Sequence, residues 1–300
     1  MHKMKILLTG STGQLGKAIL STKPDNIDLL IPERKNFDLS RVESCKKIIL
    51  KEKPDWIINC AAYTAVDKAE EEIELSKNIN SYAPEAFAKC INEYNGNLLQ
   101  ISTDFVFNGE QNYPYLENQI TNPINHYGYT KALGESLITK ALKCKENGTI
   151  LRTSWVISPI GNNFILTMLR LHSDKNFLNV VNDQIGAPTS SKDLAIVCWE
   201  IIKLKKAKNL PFILHWSDAG VTSWYDIAEA VGEIGIDLGI LERKAKINPI
   251  KSIQYPTLAK RPKYSLLNTT NTSELLEKRP IHWRENLKRI LIDYKKLNLN

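Results

Sequence analysis

A glycine-rich turn between an apolar run and a helical segment constrains the fold more than any other feature of the chain. Lys5 to Thr9 is predicted to be a buried strand, and Lys17 to Thr22 is predicted to be helical. The turn between them consists of Gly10, Ser11, Thr12, Gly13, Gln14, Leu15 and Gly16. Glycines let backbone approach a phosphate, and a helix N-terminus offers free N–H groups to it. The pattern favours a dinucleotide site, although glycines at a strand end also occur as plain turns.

A charged turn follows the second predicted strand, Ile27 to Ile31. Glu33 lies about ~20 residues past the glycines, where an acidic residue binds the ribose hydroxyl of NAD. Arg34 and Lys35 come directly after it, and cations at this place accommodate the 2′-phosphate of NADP. A charged surface turn is the alternative. We therefore expect NADPH to serve at least as well as NADH. Separately, Ser40 is expected to be the N-cap of the next helix.

Strand and helix patterns alternate as far as residue 155, which predicts an α/β fold with a Rossmann-like, doubly wound parallel sheet. Further strands are expected at Asp55 to Ala62, Leu98 to Ser102, Ile150 to Val156 and Phe212 to Trp216. We predict a dinucleotide-binding domain of residues 1–155 plus about 190–218. Residues of about 156–189 plus 219–300 are predicted to form a smaller, mixed α/β domain that binds the substrate.

Tyr127 and Lys131 stand four residues apart at the start of a helix predicted to run to Ala141. Residues at this spacing share one helical face, so the phenol and the ammonium can point into one site. A neighbouring ammonium favours the phenolate, and we expect Lys131 to lower the pKa of Tyr127 towards the working range of a general acid. An ordinary amphipathic helix with a solvated lysine is the alternative.

Charge and cysteine usage exclude several classes of function. The net charge is +7, from 40 basic and 33 acidic residues, and no dense basic block is interleaved with aromatics, so no nucleic-acid partner is predicted. No segment approaches the ~20 apolar residues of a membrane span, so no membrane partner is predicted. The five cysteines are Cys45, Cys60, Cys90, Cys144 and Cys198. They form no CxxC pair, so we expect a cytoplasmic protein without a zinc site or another metal centre.

Short motifs recur along nearly the whole chain. They are GSTGQLG at 10–16, NCAAYTAVDKAE at 59–70, STDFVF at 102–107, YGYTK at 127–131, RTSW at 152–155, GNNF at 161–164, NDQIGAPT at 182–189 and YPTLAKRP at 255–262. With them the chain resembles the extended short-chain dehydrogenase/reductases, and more closely the family of dTDP-4-dehydrorhamnose reductases. The glycine and YxxxK motifs are typical of the whole superfamily, whereas RTSW, NDQIGAPT and the tail motif are much narrower.

The resemblance implies a reaction and a set of site residues. In that family the 4-keto group of a dTDP-linked keto-sugar is reduced by NADPH or NADH, and dTDP-4-dehydrorhamnose becomes dTDP-L-rhamnose. Tyr127 would protonate the keto oxygen, Lys131 would hold the nicotinamide ribose, and Thr103 would orient the carbonyl. Cofactor contacts are implied for the glycine turn, Glu33, Arg34, Asp38, Leu39, Ala61, Ala62, Tyr63, Thr64 and Ser102. Substrate contacts are implied for Thr103, Asp104, Trp155, Asn163, Gln184 and Arg261.

Some alternatives stay open at this point. If Trp155 and Arg261 do not contact the substrate, Trp155 is a core residue and Arg261 belongs to a surface ion pair. The chain also departs from the family pattern, since family members often have tyrosine at Phe105 and histidine at Tyr63. The rival functions are another nucleotide-sugar epimerase or reductase of the same fold, and a non-catalytic, cofactor-binding regulatory subunit. An epimerase regenerates its cofactor in each cycle, whereas a reductase consumes it. A homodimer is the assembly to be tested.

Overall fold

The computed structural model describes residues 3–143, 146–205 and 210–298, so Cys144 lies outside the described residues. The strands are β1 Met4–Thr9, β2 Ile27–Leu30, β3 Trp56–Asn59, β4 Asn97–Thr103, β5 Gly148–Thr153, β6 Val156–Ile157, β7 Phe177–Val181, β8 Ile185–Gly186, β9 Thr189–Ser190, β10 Ile213–His215, β11 Thr222–Ser223 and β12 Lys246–Ile250. The helices are α1 Gln14–Ser21, α2 Val42–Glu52, α3 Val66–Ala69, α4 Ile73–Lys77, α5 Ala83–Tyr94, α6 His126–Leu142, α7 Phe164–Asp174, α8 Ser191–Lys205, α9 Trp224–Asp237, α10 Thr270–Leu275 and α11 Trp283–Asn298. A π-helical turn, Asn78–Tyr82, joins α4 to α5.

The central sheet has six strands in the order β10-β5-β4-β3-β1-β2, and every neighbouring pair is parallel. This confirms the predicted fold class, including the late strand β10, which returns to pair with β5. The chain moves outward from β1 to β2 and then crosses back to β3 on the other side of β1. Such a reversal opens a crevice at the carboxyl ends of the two inner strands, where doubly wound sheets bind ligands.

Alternate side chains of the strands pack on opposite faces of the sheet. Ile6 and Leu8 of β1 join a core with α1 and α8, while Leu7 joins a core with α2, α5 and α6. Both faces are therefore covered by helices, as a parallel sheet requires. The helices place their N-termini and the preceding loops at the carboxyl edge of the sheet, where the site is built.

A separate apolar core lies in the later part of the chain, between α7, α9, α11 and the parallel pair of β7 and β12. Leu275 and Leu276, at the end of α10, pack instead against the core between α1, α8 and the sheet. The division into two domains with the boundaries given above stays a prediction. No helix among the described residues has the length and apolar character needed to cross a membrane.

Two local expectations differ from the structure. Ser40 does not cap α2, which begins at Val42 after Arg41; its hydroxyl donates instead to Asp38 Oδ1 at 2.8 Å. The strand expected over Ile150 to Val156 is interrupted after Thr153, because Trp155 has φ +44° and leaves the extended region. The chain then continues as β6, which pairs with β9 outside the main sheet.

Candidate active site

The glycine turn after β1 is a close-packed backbone loop. Gly10 has φ +65°, and a Cβ there would lie 2.7 Å from the backbone nitrogen of Ala61. A Cβ on Gly16 would overlap the carbonyl oxygen of Gly10. Helix α1 begins at Gln14, and no side chain caps its N-terminus at Gly13. Free N–H groups and the absence of side chains at its glycines suit this loop to a pyrophosphate.

A groove of about 920 Å³ runs from this loop along the carboxyl ends of the strands. Most of the residues expected at the cofactor line it: Gly10, Ser11, Thr12, Gly13, Gln14, Leu15, Gly16, Glu33, Arg34, Asp38, Leu39, Ala61, Ala62, Thr64, Ser102, Tyr127 and Lys131. Tyr63 lies outside this lining, and its hydroxyl donates to Glu72 Oε2 at 2.9 Å. The residues present therefore fit a dinucleotide laid along this edge, while the role of Tyr63 stays a prediction.

Charged residues gather at the end of the groove near β2. Lys35 pairs with Glu33 at 2.7 Å in an exposed ion pair, and Arg34 lines the groove. Asp38 accepts hydrogen bonds from the backbone N–H and the hydroxyl of Ser40, which lower the pKa of its carboxyl group. Glu33 therefore has an ion-pair partner, and the contact of Arg34 with a ribose phosphate stays a prediction.

Thr103, Tyr127 and Lys131 come together in the floor of the groove. Thr103 ends β4, where its Oγ1 accepts from Phe105 N at 3.2 Å and donates to Asp104 Oδ1 at 3.0 Å. Tyr127 and Lys131 lie in the first two turns of α6, and both are buried. The Thr103 hydroxyl lines the groove with Tyr127 and acts on the pKa of its phenol, and Lys131 Nζ donates to Ile101 O at 2.8 Å. The spacing predicted from the sequence therefore does bring these side chains to one place.

The prediction that the pKa of Tyr127 is lowered by Lys131 is wrong, because the structure raises this pKa. Burial raises the pKa of Tyr127 to about 12, with the neighbouring Thr103 hydroxyl acting in the opposite sense. Burial also lowers the pKa of Lys131 to about 8, and Glu135 opposes this shift. Removal from water disfavours the charged form of each group, and burial is the largest cause of both shifts. The phenol is therefore protonated at neutral pH, which suits a proton donor.

A second cavity, of about 1400 Å³, lies between the loop after β4 and the later part of the chain. Trp155, Gln184 and Arg261 line it, and Trp155 also lines the groove, so the two spaces meet at this residue. The Trp155 ring stacks on Trp224 at 3.8 Å, and Trp224 Nε1 donates to Gln184 Oε1 at 3.2 Å. This arrangement allows a ligand in the larger cavity to reach the groove.

The remaining substrate candidates are held by the protein itself. Arg261 forms a two-point ion pair with Asp67, with Nη2 2.7 Å from Oδ2. Asn163 caps α7 through Leu166 N, and its Nδ2 donates to Gln14 Oε1 at 2.9 Å. Asp104 is buried, and burial raises the pKa of its carboxyl group to about 6. Contacts of these three with a substrate stay predictions.

Two buried charged residues near Thr103, Tyr127 and Lys131 were not singled out from the sequence. Glu135 lies four residues beyond Lys131 on the same face of α6, and it pairs with Arg152 of β5. The RTSW motif contains Arg152, and the continued spacing of four along α6 marks Glu135. Across the described ranges, no group of three or more His, Cys, Asp or Glu residues could hold a metal ion.

A parallel doubly wound sheet that carries a Tyr-x-x-x-Lys helix over a glycine-lined groove is the architecture of the extended short-chain dehydrogenase/reductases, and this chain is of that class. The family model described as the RmlD substrate binding domain matches residues 4–296. The dTDP-4-dehydrorhamnose reductase of Escherichia coli (strain K12) is 38% identical over 293 residues, covering 96% of this chain and 97% of the relative. The chain therefore belongs to the family of the dTDP-4-dehydrorhamnose reductases.

Solved structures of relatives agree with this assignment. A dTDP-4-dehydrorhamnose reductase from Clostridium acetobutylicum superposes with a TM-score of 0.88 at 36% identity, covering 97% of this chain and all of the other (100%). A dTDP-4-dehydrorhamnose reductase from Bacillus anthracis, solved in complex with NADP, superposes with a TM-score of 0.88 at 32% identity, covering 97% of this chain and 99% of the other.

Proposed function

We propose that the protein reduces the 4-keto group of a dTDP-4-keto-6-deoxy sugar with NADPH or NADH, converting dTDP-4-dehydrorhamnose to dTDP-L-rhamnose. The observation that carries this proposal is the position of Tyr127, Thr103 and Lys131 in the floor of a glycine-lined groove that meets a larger cavity at Trp155. The named relatives support the substrate, and the NADP complex of the Bacillus anthracis relative supports the cofactor.

The buried phenol of Tyr127 is the proton donor in this reaction. The reduced nicotinamide supplies a hydride to the carbonyl carbon, and negative charge develops on the carbonyl oxygen. Tyr127 delivers a proton to that oxygen, and Thr103 orients it with its hydroxyl. Lys131 holds the nicotinamide ribose through its ammonium group. Because burial keeps the phenol protonated at neutral pH, Tyr127 enters the reaction in the form that it needs.

The other site residues divide between the two ligands. The glycine turn, with Gly10 and Gly16, holds the pyrophosphate, and Arg34 favours NADPH through the 2′-phosphate. Cofactor contacts are also assigned to Glu33, Asp38, Leu39, Ala61, Ala62, Tyr63, Thr64 and Ser102. Substrate contacts are assigned to Asp104, Trp155, Asn163, Gln184 and Arg261. The later part of the chain, about 156–189 plus 219–300, forms the substrate-binding domain in this proposal.

The direct test follows NADPH absorbance while the purified protein is mixed with dTDP-4-keto-6-deoxy-L-mannose, and with UDP- and GDP-linked analogues as controls. A reductase consumes one NADPH for each sugar reduced, and we expect the dTDP-linked sugar to be preferred. Isomerised sugar without net loss of NADPH would identify an epimerase. Cofactor binding without turnover of any of these sugars would identify a regulatory subunit.

Assembly and location belong to the same proposal. We expect a cytoplasmic enzyme, and light scattering of the purified protein with and without NADPH tests for a homodimer. A mass of one chain under both conditions would exclude the dimer.

A further inference from the structure

The carboxylate of Glu135 is buried one helical turn beyond Lys131 on α6, although no step of the proposed reduction uses it. Its side chain is 6% exposed. Arg152 contacts both carboxylate oxygens, with Nη2 2.6 Å from Oε2 and Nε 3.0 Å from Oε1. Ser102 Oγ, on β4, donates to Oε1 at 2.5 Å. A planar guanidinium bound at two points fixes the carboxylate in both charge and orientation.

The charge of Arg152 is balanced by Glu135 and not by the histidine beside it. Arg152 Nη1 lies 3.3 Å from His215 Nε2, and His215 Nδ1 lies 3.1 Å from Tyr115 O. Burial and the neighbouring guanidinium lower the pKa of His215 to about 3, so its ring is neutral. The neutral ring accepts from Arg152 through Nε2 and donates to the Tyr115 carbonyl through Nδ1. Glu135 is therefore the anion of this buried network.

Lys131 is one helical turn from this anion. Its ammonium donates to the carbonyl of Ile101 at 2.8 Å, and a carbonyl carries no full charge. Burial lowers the pKa of Lys131 to about 8, and Glu135 is the largest influence in the opposite direction. The thiol of Cys60, at the end of β3, also faces Lys131, but burial raises its pKa well above the usual range and leaves it neutral.

The other groups around Lys131 do not replace this charge. Tyr127, on the same helix, is protonated, because burial raises its pKa to about 12. Asp104 follows β4, and its charge raises the pKa of Tyr127. Arg152, on β5, is a cation and cannot supply a negative charge. Glu135 is thus the anion that the fold places to hold Lys131 in its charged form.

Resting on the function proposed above, we propose that Glu135 is a positioning residue for the reduction. Its carboxylate, fixed by Arg152 and Ser102, keeps Lys131 in the ammonium form and locks α6 against β4 and β5. The same contact would hold Tyr127, two turns earlier on α6, in line with Thr103.

The test compares Glu135→Gln with the wild type in the pH dependence of kcat/KM and of the NADPH dissociation constant. Activity and binding fall as pH rises through the pKa of Lys131, so loss of the anion moves both alkaline midpoints to lower pH. We expect a shift of about one pH unit, which is up to about tenfold in kcat/KM above the wild-type midpoint. The matched control is Glu85→Gln, which removes the carboxylate of a partly exposed pair with Lys89 on α5 and leaves both midpoints in place.

A second variant separates the charge from the fold. Glu135→Gln leaves Arg152 unpaired and can fail to fold, whereas Glu135→Gln with Arg152→Met removes both charges. We expect the double variant to fold with its midpoints still shifted, because Lys131 still lacks its anion. Wild-type midpoints in whichever variant folds would overturn the proposal. A different outcome would separate the two proposals. If the wild type reduces none of the sugars but the variant still shifts the midpoint of NADPH binding, the proposed function is refuted and the role of Glu135 stands.

Discussion

Replacing Tyr127 by phenylalanine removes one hydroxyl from the floor of the groove and leaves its packing intact. The ring edge of Tyr127 meets Phe105 with centroids 5.6 Å apart, a contact that phenylalanine keeps. The neighbouring Thr103 hydroxyl is not orphaned by the change, since its Oγ1 still accepts from Phe105 N and donates to Asp104. The expected loss in unfolding free energy is therefore at the low end for a buried hydrogen bond, about 0.5–1 kcal/mol.

The loss in catalysis is far larger than the loss in stability. Removing a general acid lowers the rate by about 10²–10⁴, which corresponds to about 3–5 kcal/mol of transition-state stabilisation. Lys131 stays in place, because its hydrogen bond goes to Ile101 O and not to the phenol. The effect should thus appear in kcat, while the dissociation constant for NADPH changes little.

The assay combines steady-state loss of NADPH absorbance with equilibrium NADPH binding followed by fluorescence. Tyr129→Phe is the matched control, since Tyr129 lies two residues further along α6 and its side chain is half exposed. This control should turn over normally. If Tyr127→Phe also retained kcat within a few-fold of the wild type, another group would have to supply the proton, and the assignment of Tyr127 would be refuted.

Three further changes follow from the same geometry. Lys131→Met should lower both kcat and NADPH affinity, and unchanged affinity by fluorescence would exclude a ribose contact. Gly16→Ala places a methyl against the Gly10 carbonyl, so chemical denaturation should show a loss of about 1–3 kcal/mol together with weakened NADPH binding; wild-type values would mean that the turn relaxes freely. Burial raises the pKa of Asp218 to about 7 from an ordinary 3.8, so the stability it contributes is present below pH 3.8 and is lost as pH rises through 7. In the wild type the unfolding free energy should therefore fall by at most about 4 kcal/mol between pH 4 and pH 7, and Asp218→Asn should remove this fall. An equal dependence of unfolding free energy on pH in both proteins would contradict this.

Local patterns in the sequence were sufficient for the fold class and for most of the residues that line the groove. The strand, turn and helix around Gly10 and Gly16 lie within one short segment, and their order alone places free N–H groups at a strand end. The alternation of apolar residues in β1 sends Leu7 to one face and Ile6 to the other, as the structure confirms. The spacing of Tyr127 and Lys131 sets their common face on α6, because an α-helix repeats every ~3.6 residues.

Contacts between distant segments were beyond the reach of such patterns. Asp67 and Arg261 pair across 194 residues, and Trp155 takes a positive φ where the chain leaves the sheet to stack on Trp224. Nothing near either residue in the sequence specifies its partner. Which segments meet there depends on how the sheet and the later part of the chain pack together.

The electrostatics of the site were decided by the tertiary structure alone. Spacing predicts that Lys131 and Tyr127 are neighbours, but the directions of their pKa shifts depend on how much water the surrounding chain excludes. The fold buries both groups, so burial raises the pKa of the phenol and lowers that of the ammonium. It also brings Arg152 of β5 against Glu135 of α6 in a buried ion pair. The sequence by itself determined which side chains share a face, and the packing of distant elements over that face determined their charge, because desolvation is a property of the whole fold.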